Sequence, residues 1–184
     1  MKAKLLFLNL IFLAFSCTKD RIFENQTTNN NQVIDPNKSI FINEYLAKGS
    51  LFPDEFGVNS DWIELYNQSD TDIDLSSKEY FITDDYTKPN KYQISNKTIP
   101  SKGFIIVWCN SSTVQGTELN APFNLSASGE NLALFYKDAQ GNFVALDSLS
   151  FGLQSLDNVS NARIPNGSNN WSLISSPTPG STNN

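Results

Sequence analysis

Residues 100–109, PSKGFIIVWC, join a turn to a strongly apolar strand. Pro100 and Gly103 suit a tight turn, because proline fixes φ and glycine tolerates positive φ. Every residue from Phe104 to Cys109 is apolar, and β-branched and aromatic side chains favour strands. This stretch therefore predicts a central strand of a β-sheet.

Shorter apolar runs with period-two alternation lie on both sides of this strand and are separated by turn residues. No segment has a helical pattern, so we predict an all-β chain with sequential antiparallel pairing, folded as a single β-sandwich domain over residues 39–184. A turn at 138–142 closes one predicted hairpin. The tail from Ser175 to Asn184 is expected to be extended and to fray at its end. The predicted strands are 39–46, 61–67, 72–75, 79–83, 91–94, 103–109, 131–136, 143–150 and 160–164.

Several motifs follow one another along the chain: Ile42-Asn43-Glu44, Asp61-Trp62-Ile63-Glu64-Leu65-Tyr66-Asn67, residues 99–108 and residues 127–134, followed by Arg163-Ile164-Pro165-Asn166-Gly167, Trp171 and Thr178-Pro179-Gly180-Ser181-Thr182-Asn183. In this order and spacing they resemble the lamin tail domain family. The resemblance implies an immunoglobulin-like β-sandwich, which in bacteria is a module of secreted or surface proteins and often accompanies hydrolase domains. It implies no shared active site, so it indicates the fold more than the activity.

The N-terminus has the pattern of a bacterial lipoprotein signal. Lys2 and Lys4 precede an apolar stretch, residues 5–15, that is too short to span a bilayer as a helix. The stretch ends in Ala14-Phe15-Ser16-Cys17, which resembles a lipobox although Ala14 stands where leucine is most common. We therefore predict a signal peptide at 1–16, acyl chains such as palmitate on Cys17, and a disordered polar tether at 17–38. The alternative is an ordinary secretory signal with a chance cysteine.

Composition excludes several classes of function. Removing Lys2 and Lys4, the charged residues of 1–16, changes the net charge from −6 to −8, and the rest of the chain has no Lys/Arg cluster for a nucleic acid. The chain has no histidine, which is the commonest general base and metal ligand. Nucleophile and phosphate-loop motifs are absent as well. We expect no enzyme activity, no cofactor and no nucleic-acid partner, and we expect Cys109 to be a buried thiol.

Three groups of residues are candidates for chemistry or binding. Glu44 and Glu64 could form a carboxylate pair for acid/base work, but a structural role accepting hydrogen bonds is favoured. Asp70, Asp72 and Asp74 copy the start of a calcium loop but lack its later glycine and glutamate, so we predict no metal site and favour solvated edge charges, leaving weak cation binding open. Trp62, Glu64 and Tyr66 share one strand face, which is the predicted binding surface if it is exposed.

These observations support a non-enzymatic cell-envelope lipoprotein that displays the β-sandwich as a binding or structural module. A composition rich in Asn and Ser, with Lys exceeding Arg, resembles that of Bacteroidetes proteins. We expect the lipid on Cys17 to hold the protein on the outer membrane, with the periplasmic and surface faces both open, and the partner to be a protein or a glycan. The alternative hypothesis is an accessory module or stand-alone remnant of a secreted hydrolase system.

Overall fold

The computed structural model describes residues 38–111 and 116–184, which contain twelve β-strands. The described ranges contain no helix that is long and apolar enough to span a membrane. The predicted signal peptide at 1–16 and the tether at 17–38, apart from Lys38, lie outside them. The strands are β1 (Ile40–Leu46), β2 (Asp61–Asn67), β3 (Ile73–Asp74), β4 (Tyr80–Thr83), β5 (Tyr92–Ile94), β6 (Thr98–Ile99), β7 (Phe104–Cys109), β8 (Leu119–Ala121), β9 (Glu130–Lys137), β10 (Phe143–Phe151), β11 (Ser160–Arg163) and β12 (Trp171–Ile174).

The strands form two main sheets and a small ribbon. The large sheet has the order β12-β11-β1-β2-β7-β8, the small sheet has the order β10-β9-β4-β5, and β3 pairs with β6. All pairings are antiparallel except that between β7 and β8, which is parallel. The predicted all-β sandwich is confirmed.

The core lies between the two main sheets. Ile42, Ile63 and Val107 from the large sheet pack in one cluster with Ile82 and Leu132 from the small sheet, and none of the five has any exposed surface. Complete burial of each such side chain contributes roughly 1.5–3 kcal/mol. Cys109 belongs to this cluster, which confirms the predicted buried thiol. Burial raises the pKa of that thiol well above its ordinary value.

Every predicted strand overlaps an observed one, but three observed strands were not predicted. These are β6, β8 and β12, which have 2, 3 and 4 residues. A run of that length carries too little alternation to be recognised from sequence, and each of the three is defined by the neighbour with which it pairs.

Sequential pairing was wrong for much of the sandwich. Antiparallel pairs of consecutive strands are β1–β2, β4–β5, β9–β10 and β11–β12, and β7–β8 is a parallel pair, whereas β2 pairs with β7, β1 with β11 and β4 with β9. The hairpin predicted at 138–142 is confirmed, because Asp138 Oδ1 accepts hydrogen bonds from the Gln140 and Asn142 amides at 2.9 and 2.8 Å. The remaining pairings depend on long-range packing, which local alternation does not encode.

The sandwich has two distinct ends. The described chain enters at Lys38 and β1 then runs from Ile40 to Leu46, a length of about 23 Å at 3.3 Å per residue. The end at Ile40 is called the entry end. The opposite end carries loops 47–60 and 152–159, which are joined by a 2.9 Å hydrogen bond from the Ala47 amide to Gln154 Oε1. It is called the loop end.

Candidate functional site

Glu44 and Glu64 stand directly opposite each other on β1 and β2. Neither residue has exposed surface. Both lie on the face of the large sheet that points away from the core, since Glu64 alternates with the core residues Ile63 and Leu65. The two residues are called the carboxylate pair.

Residues 175–184, called the C-terminal strap, cover the carboxylate pair. The strap makes a turn at Thr178-Pro179-Gly180-Ser181, in which the Ser181 amide donates to the Thr178 carbonyl at 3.0 Å and Gly180 has φ 77°. Proline followed by a glycine of positive φ is the pattern of a type II turn. The turn directs the Thr178 amide to Glu44 Oε1 at 3.1 Å and the Gly180 amide to Glu64 Oε2 at 2.7 Å.

Two asparagines fasten the strap to the sheet. Asn183 is 3% exposed, and its Nδ2 donates to the backbone carbonyls of Asn43 and Arg163 at 3.3 and 3.0 Å. Asn43 Nδ2 donates to Glu64 Oε1 at 2.9 Å, and Asn43 Oδ1 accepts from the Gly167 amide at 2.9 Å. The expected fraying of the tail was therefore wrong, because buried side-chain amides hold it almost to its last residue.

The electrostatics of the pair follow from its burial. Among the residues that the structure describes, no Lys or Arg forms an ion pair with Glu44 or Glu64. Removal from water raises the pKa of Glu64 to about 8, and the charge of Glu44 acts in the same direction. Both carboxylates accept hydrogen bonds from the protein itself, as the favoured structural role predicts. The strap occupies the space that a substrate would need.

The predicted binding surface of Trp62, Glu64 and Tyr66 required that face to be exposed, and the structure does not meet this condition. The three side chains share one face, as predicted, but they are 0%, 0% and 8% exposed. The Phe52 ring lies edge-on to Trp62 at 6.1 Å, and the Phe104 ring lies 5.1 Å from that of Tyr66. The strap covers Glu64. Loop and strap residues that are distant in sequence thus bury this face of the sheet. Strand alternation shows which side chains share the face but not whether it is exposed.

A buried ion pair joins the two sheets beside the pair of glutamates. Arg163 Nη2 lies 3.0 Å from Asp147 Oδ2, and both side chains are nearly inaccessible, at 4% and 3% exposure. The same two residues satisfy the backbone of Ile42, because its carbonyl accepts from Arg163 Nε at 2.8 Å and its amide donates to Asp147 Oδ2 at 3.0 Å. Lys38 Nζ also contacts Asp147, at 2.8 Å. The ion pair replaces a strand partner where β11 leaves β1.

The three aspartates of the calcium-like motif point to separate partners. Asp70 pairs with Lys102, Asp72 Oδ1 accepts from the Ser101 amide at 2.8 Å, and Asp74 Oδ1 accepts from the Ser76 amide at 2.9 Å. Within residues 38–111 and 116–184, no group of three His, Cys, Asp or Glu side chains is placed to hold a metal ion.

Exposed apolar side chains concentrate at the loop end. Two loops and the end of β12 carry the large hydrophobic residues that remain more than half exposed or nearly so: Leu51, Phe56, Val58, Leu153, Leu156 and Leu173. A groove of about 260 Å³ runs between loop 152–159 and β12, and Tyr45, Val159 and Leu173 contribute to its lining. Among the described strands, β12 is an edge of the large sheet. No candidate site predicted from the sequence included this surface.

A comparison with known protein families matches residues 35–152, well over half of the 184-residue chain, to the Lamin Tail Domain. The chain belongs to the lamin tail domain family. This is a family of immunoglobulin-like, non-catalytic domains, so the sandwich described above is its fold. A search of curated proteins finds no match to the chain.

The range matched by the family contains only part of this polar network. It includes Asn43, Glu44 and Glu64, whereas β11, β12 and the C-terminal strap follow its last residue. The polar network therefore joins strands inside the matched range to a segment outside it. Sequence reasoning quoted Asn43 and Asn183 within motifs but gave them no role. The available signals were a polar Asn43 inside a predicted strand and an Asn183 that follows the turn residues Pro179 and Gly180.

Proposed function

We propose that this lamin tail domain protein is a non-enzymatic lipoprotein of the bacterial cell envelope that presents its sandwich as a binding module. The lipid on Cys17 anchors the chain to the outer membrane, and the domain binds its partner through the loop end. The N-terminal sequence supports the anchor, and the geometry of the described domain supports the binding role.

The polarity of the sandwich is the observation that carries this proposal. The chain continues toward Cys17 from Lys38, at the entry end, whereas the exposed apolar side chains of the described residues lie at the loop end, one strand length away. Three of them, Leu153, Leu156 and Leu173, line one groove, and an exposed apolar patch commonly marks an interaction site. A tether attached at the entry end would leave the apolar loops at the other end free to contact a partner.

The distribution of polar groups supports a non-enzymatic role. Glu64 and Asp147 are buried carboxylates, and each is held by internal donors instead of facing a cleft. The groove at the loop end is lined mainly by aliphatic and small polar side chains and has no titratable group except Tyr45, whose pKa is raised well above its ordinary value by burial. Such a lining suits binding and offers no acid or base near neutral pH.

The chemistry of the loop end favours a protein partner over a glycan. Sugars stack on exposed aromatic rings, but Trp62 and Trp108 are buried and Phe56 is the one aromatic residue among the six exposed hydrophobic side chains. The aliphatic groove lies beside an edge strand, where an extended peptide can pair with the backbone while its apolar side chains enter the groove.

The second candidate is an accessory module of a secreted hydrolase system, supported by the family to which the domain belongs. The two candidates differ in the partner. An accessory module would bind a hydrolase encoded beside it, and a co-purified hydrolase whose retention depends on the loop end would favour this candidate.

Metabolic labelling tests the anchor. Cells expressing the full chain are fed a palmitate analogue. Membranes are isolated from one portion of the cells, and protease is added to a second portion of intact cells. We expect label on the wild type and on Cys109→Ala, and no label on Cys17→Ala, which should leave the membrane fraction. Loss of the protein to external protease would assign the surface face, and its protection would assign the periplasmic face. An unlabelled, soluble wild type would refute the anchor.

Site-specific photo-crosslinking tests the loop end. A photoreactive amino acid replaces Leu156 in the groove, and a matched variant carries it at Ala139, which is exposed in the hairpin at the entry end. We expect a discrete adduct of one partner from position 156, suppressed by Leu153→Ser and Leu173→Ser, and no such adduct from position 139. Equal adducts from both positions would contradict binding at the loop end.

A further inference from the structure

The Thr178 hydroxyl has one hydrogen to donate but lies within hydrogen-bond distance of two acceptor oxygens. Thr178 Oγ1 lies 2.9 Å from Glu44 Oε2 and 2.8 Å from Asn183 Oδ1. The amide of Asn183 cannot be reversed, because its Nδ2 donates to two backbone carbonyls, those of Asn43 and Arg163. Asn183 Oδ1 is therefore an acceptor, and an ionised Glu44 would present a second acceptor to the same hydroxyl, which has a single hydrogen to donate.

One proton on the carboxylate pair completes the network. A proton on Glu44 Oε2 donates to Thr178 Oγ1, and the Thr178 hydroxyl then donates to Asn183 Oδ1. Ser160 Oγ and the Thr178 amide still donate to Glu44 Oε1, at 2.5 and 3.1 Å. Every polar atom in this chain of contacts then has a partner, as buried groups require.

The surroundings of the pair also favour one shared proton. Glu64 faces Glu44 on β1, Ile106 on β7 and the strap backbone at Gly180, and none of these elements supplies a cation. The strap contributes hydroxyl and amide groups, and β11 contributes the Ser160 hydroxyl, while its Arg163 turns to Asp147. Two buried carboxylates without a counterion do not both ionise readily, so the proton belongs to the pair. Burial also raises the pKa of Glu64, the other member of the pair, to about 8.

We propose that the carboxylate pair and the C-terminal strap form a proton-dependent latch, in which the docked strap requires one proton on the pair. Loss of that proton releases the strap and bares the outer face of β1 and β2. The carboxylates of Glu44 and Glu64 and the side-chain amide of Asn43 would then be exposed without their strap partners. They lie on a sheet face that the strap covers at lower pH.

The direction of the pH dependence follows from proton counting. The docked state binds one more proton than the released state, in which the glutamates return to water and to ordinary pKa values near 4.3. The ratio of released to docked strap therefore rises about tenfold for each pH unit above this value.

Hydrogen exchange of the strap amides tests the latch on the whole exported chain. The Thr178 and Gly180 amides donate to the pair, so their protection factors, corrected for the intrinsic exchange rate, report docking. We expect these factors to fall about tenfold per unit between about pH 5 and pH 8. The Ile63 amide in β2 serves as the reference for global unfolding and should keep its protection throughout.

Substitutions separate the pair from other carboxylates. The double substitution Glu44→Gln with Glu64→Gln should abolish the pH dependence at Gly180, since the pair then has no carboxylate proton to gain or lose on docking. Glu79→Gln, at a residue whose side chain is 49% exposed beside Lys137, should leave it unchanged. A wild-type curve that is flat from about pH 5 to pH 8 would overturn the latch, whether or not the glutamine variants fold. Parallel loss of protection at Ile63 would overturn it as well.

Discussion

Arg163→Met tests how much the domain depends on the buried ion pair between its sheets. The substitution retains an apolar stem against the Trp171 ring, which lies 4.5 Å from the guanidinium carbon. It removes the contact with Asp147 Oδ2 at 3.0 Å and the hydrogen bond to the Ile42 carbonyl at 2.8 Å. Asp147 keeps Lys38 and the Ile42 amide as partners.

The magnitude is worked from these losses. Removing one member of a buried ion pair costs about 3–5 kcal/mol. Leaving the Ile42 carbonyl without its donor costs a further ~1–3 kcal/mol. Lys38 remains 2.8 Å from Asp147 and offsets part of the first loss, that of the ion pair. We expect a loss on the order of 4 kcal/mol in the free energy of unfolding, against a total of about 5–15 kcal/mol for a typical domain.

Urea denaturation of the exported chain measures this loss. With a slope of about 2 kcal/mol per molar urea, the midpoint should fall by roughly 2 M. The matched control is Lys48→Met, which removes an exposed ion pair with Asp157 and should cost less than about 1 kcal/mol. Adding Asp147→Leu to Arg163→Met should cost less than the sum of the single changes. A loss below about 1 kcal/mol for Arg163→Met would refute the assigned role.

Two further predictions concern the strap and the core thiol. Gly180→Ala should destabilise strap docking by about 1 kcal/mol through its φ of 77° alone, because no atom lies within 4 Å of the added Cβ. Gly152→Ala, equally unhindered and without positive φ, is its control; equal urea midpoints for the two variants would contradict the backbone argument. In a Cys17→Ala background, Cys109 should resist iodoacetamide in the native state and react only after unfolding, because its thiol is buried and its pKa is raised. Rapid native labelling, followed by mass spectrometry, would disprove that burial.

The strand pattern predicted most of the fold because alternation is a local property. The run from Phe104 to Cys109 is a strand beside β2, and the turn at residues 100–103 precedes it with the Gly103 amide donating to the Pro100 carbonyl at 2.8 Å. The same reasoning failed for β12, whose four residues become a strand by pairing with β11. It failed again for the strap, whose polar composition resembles that of a free tail until its hydrogen-bond partners are known.

The candidate site was predicted in part for the same reason. Glu44 and Glu64 were recognised as a pair with a structural role, and their register on β1 and β2 agrees with that role. Their donors are far away in the chain, since Thr178 lies 134 residues after Glu44 and Gly180 lies 116 residues after Glu64. Local sequence carries no signal for contacts at that separation. The exposed leucines of the loop end were missed because a leucine is expected to be buried.

The sequence by itself determined most of the strands, the sandwich class and the family, because side-chain alternation and turn residues act over a few positions. Only the tertiary structure decided which strand face is covered. A β-strand presents two faces, and its alternation shows that Trp62, Glu64 and Tyr66 share one of them without showing what lies above it. That choice depended on a loop and a strap that fold back from distant parts of the chain, and it moved the exposed apolar surface to the loop end.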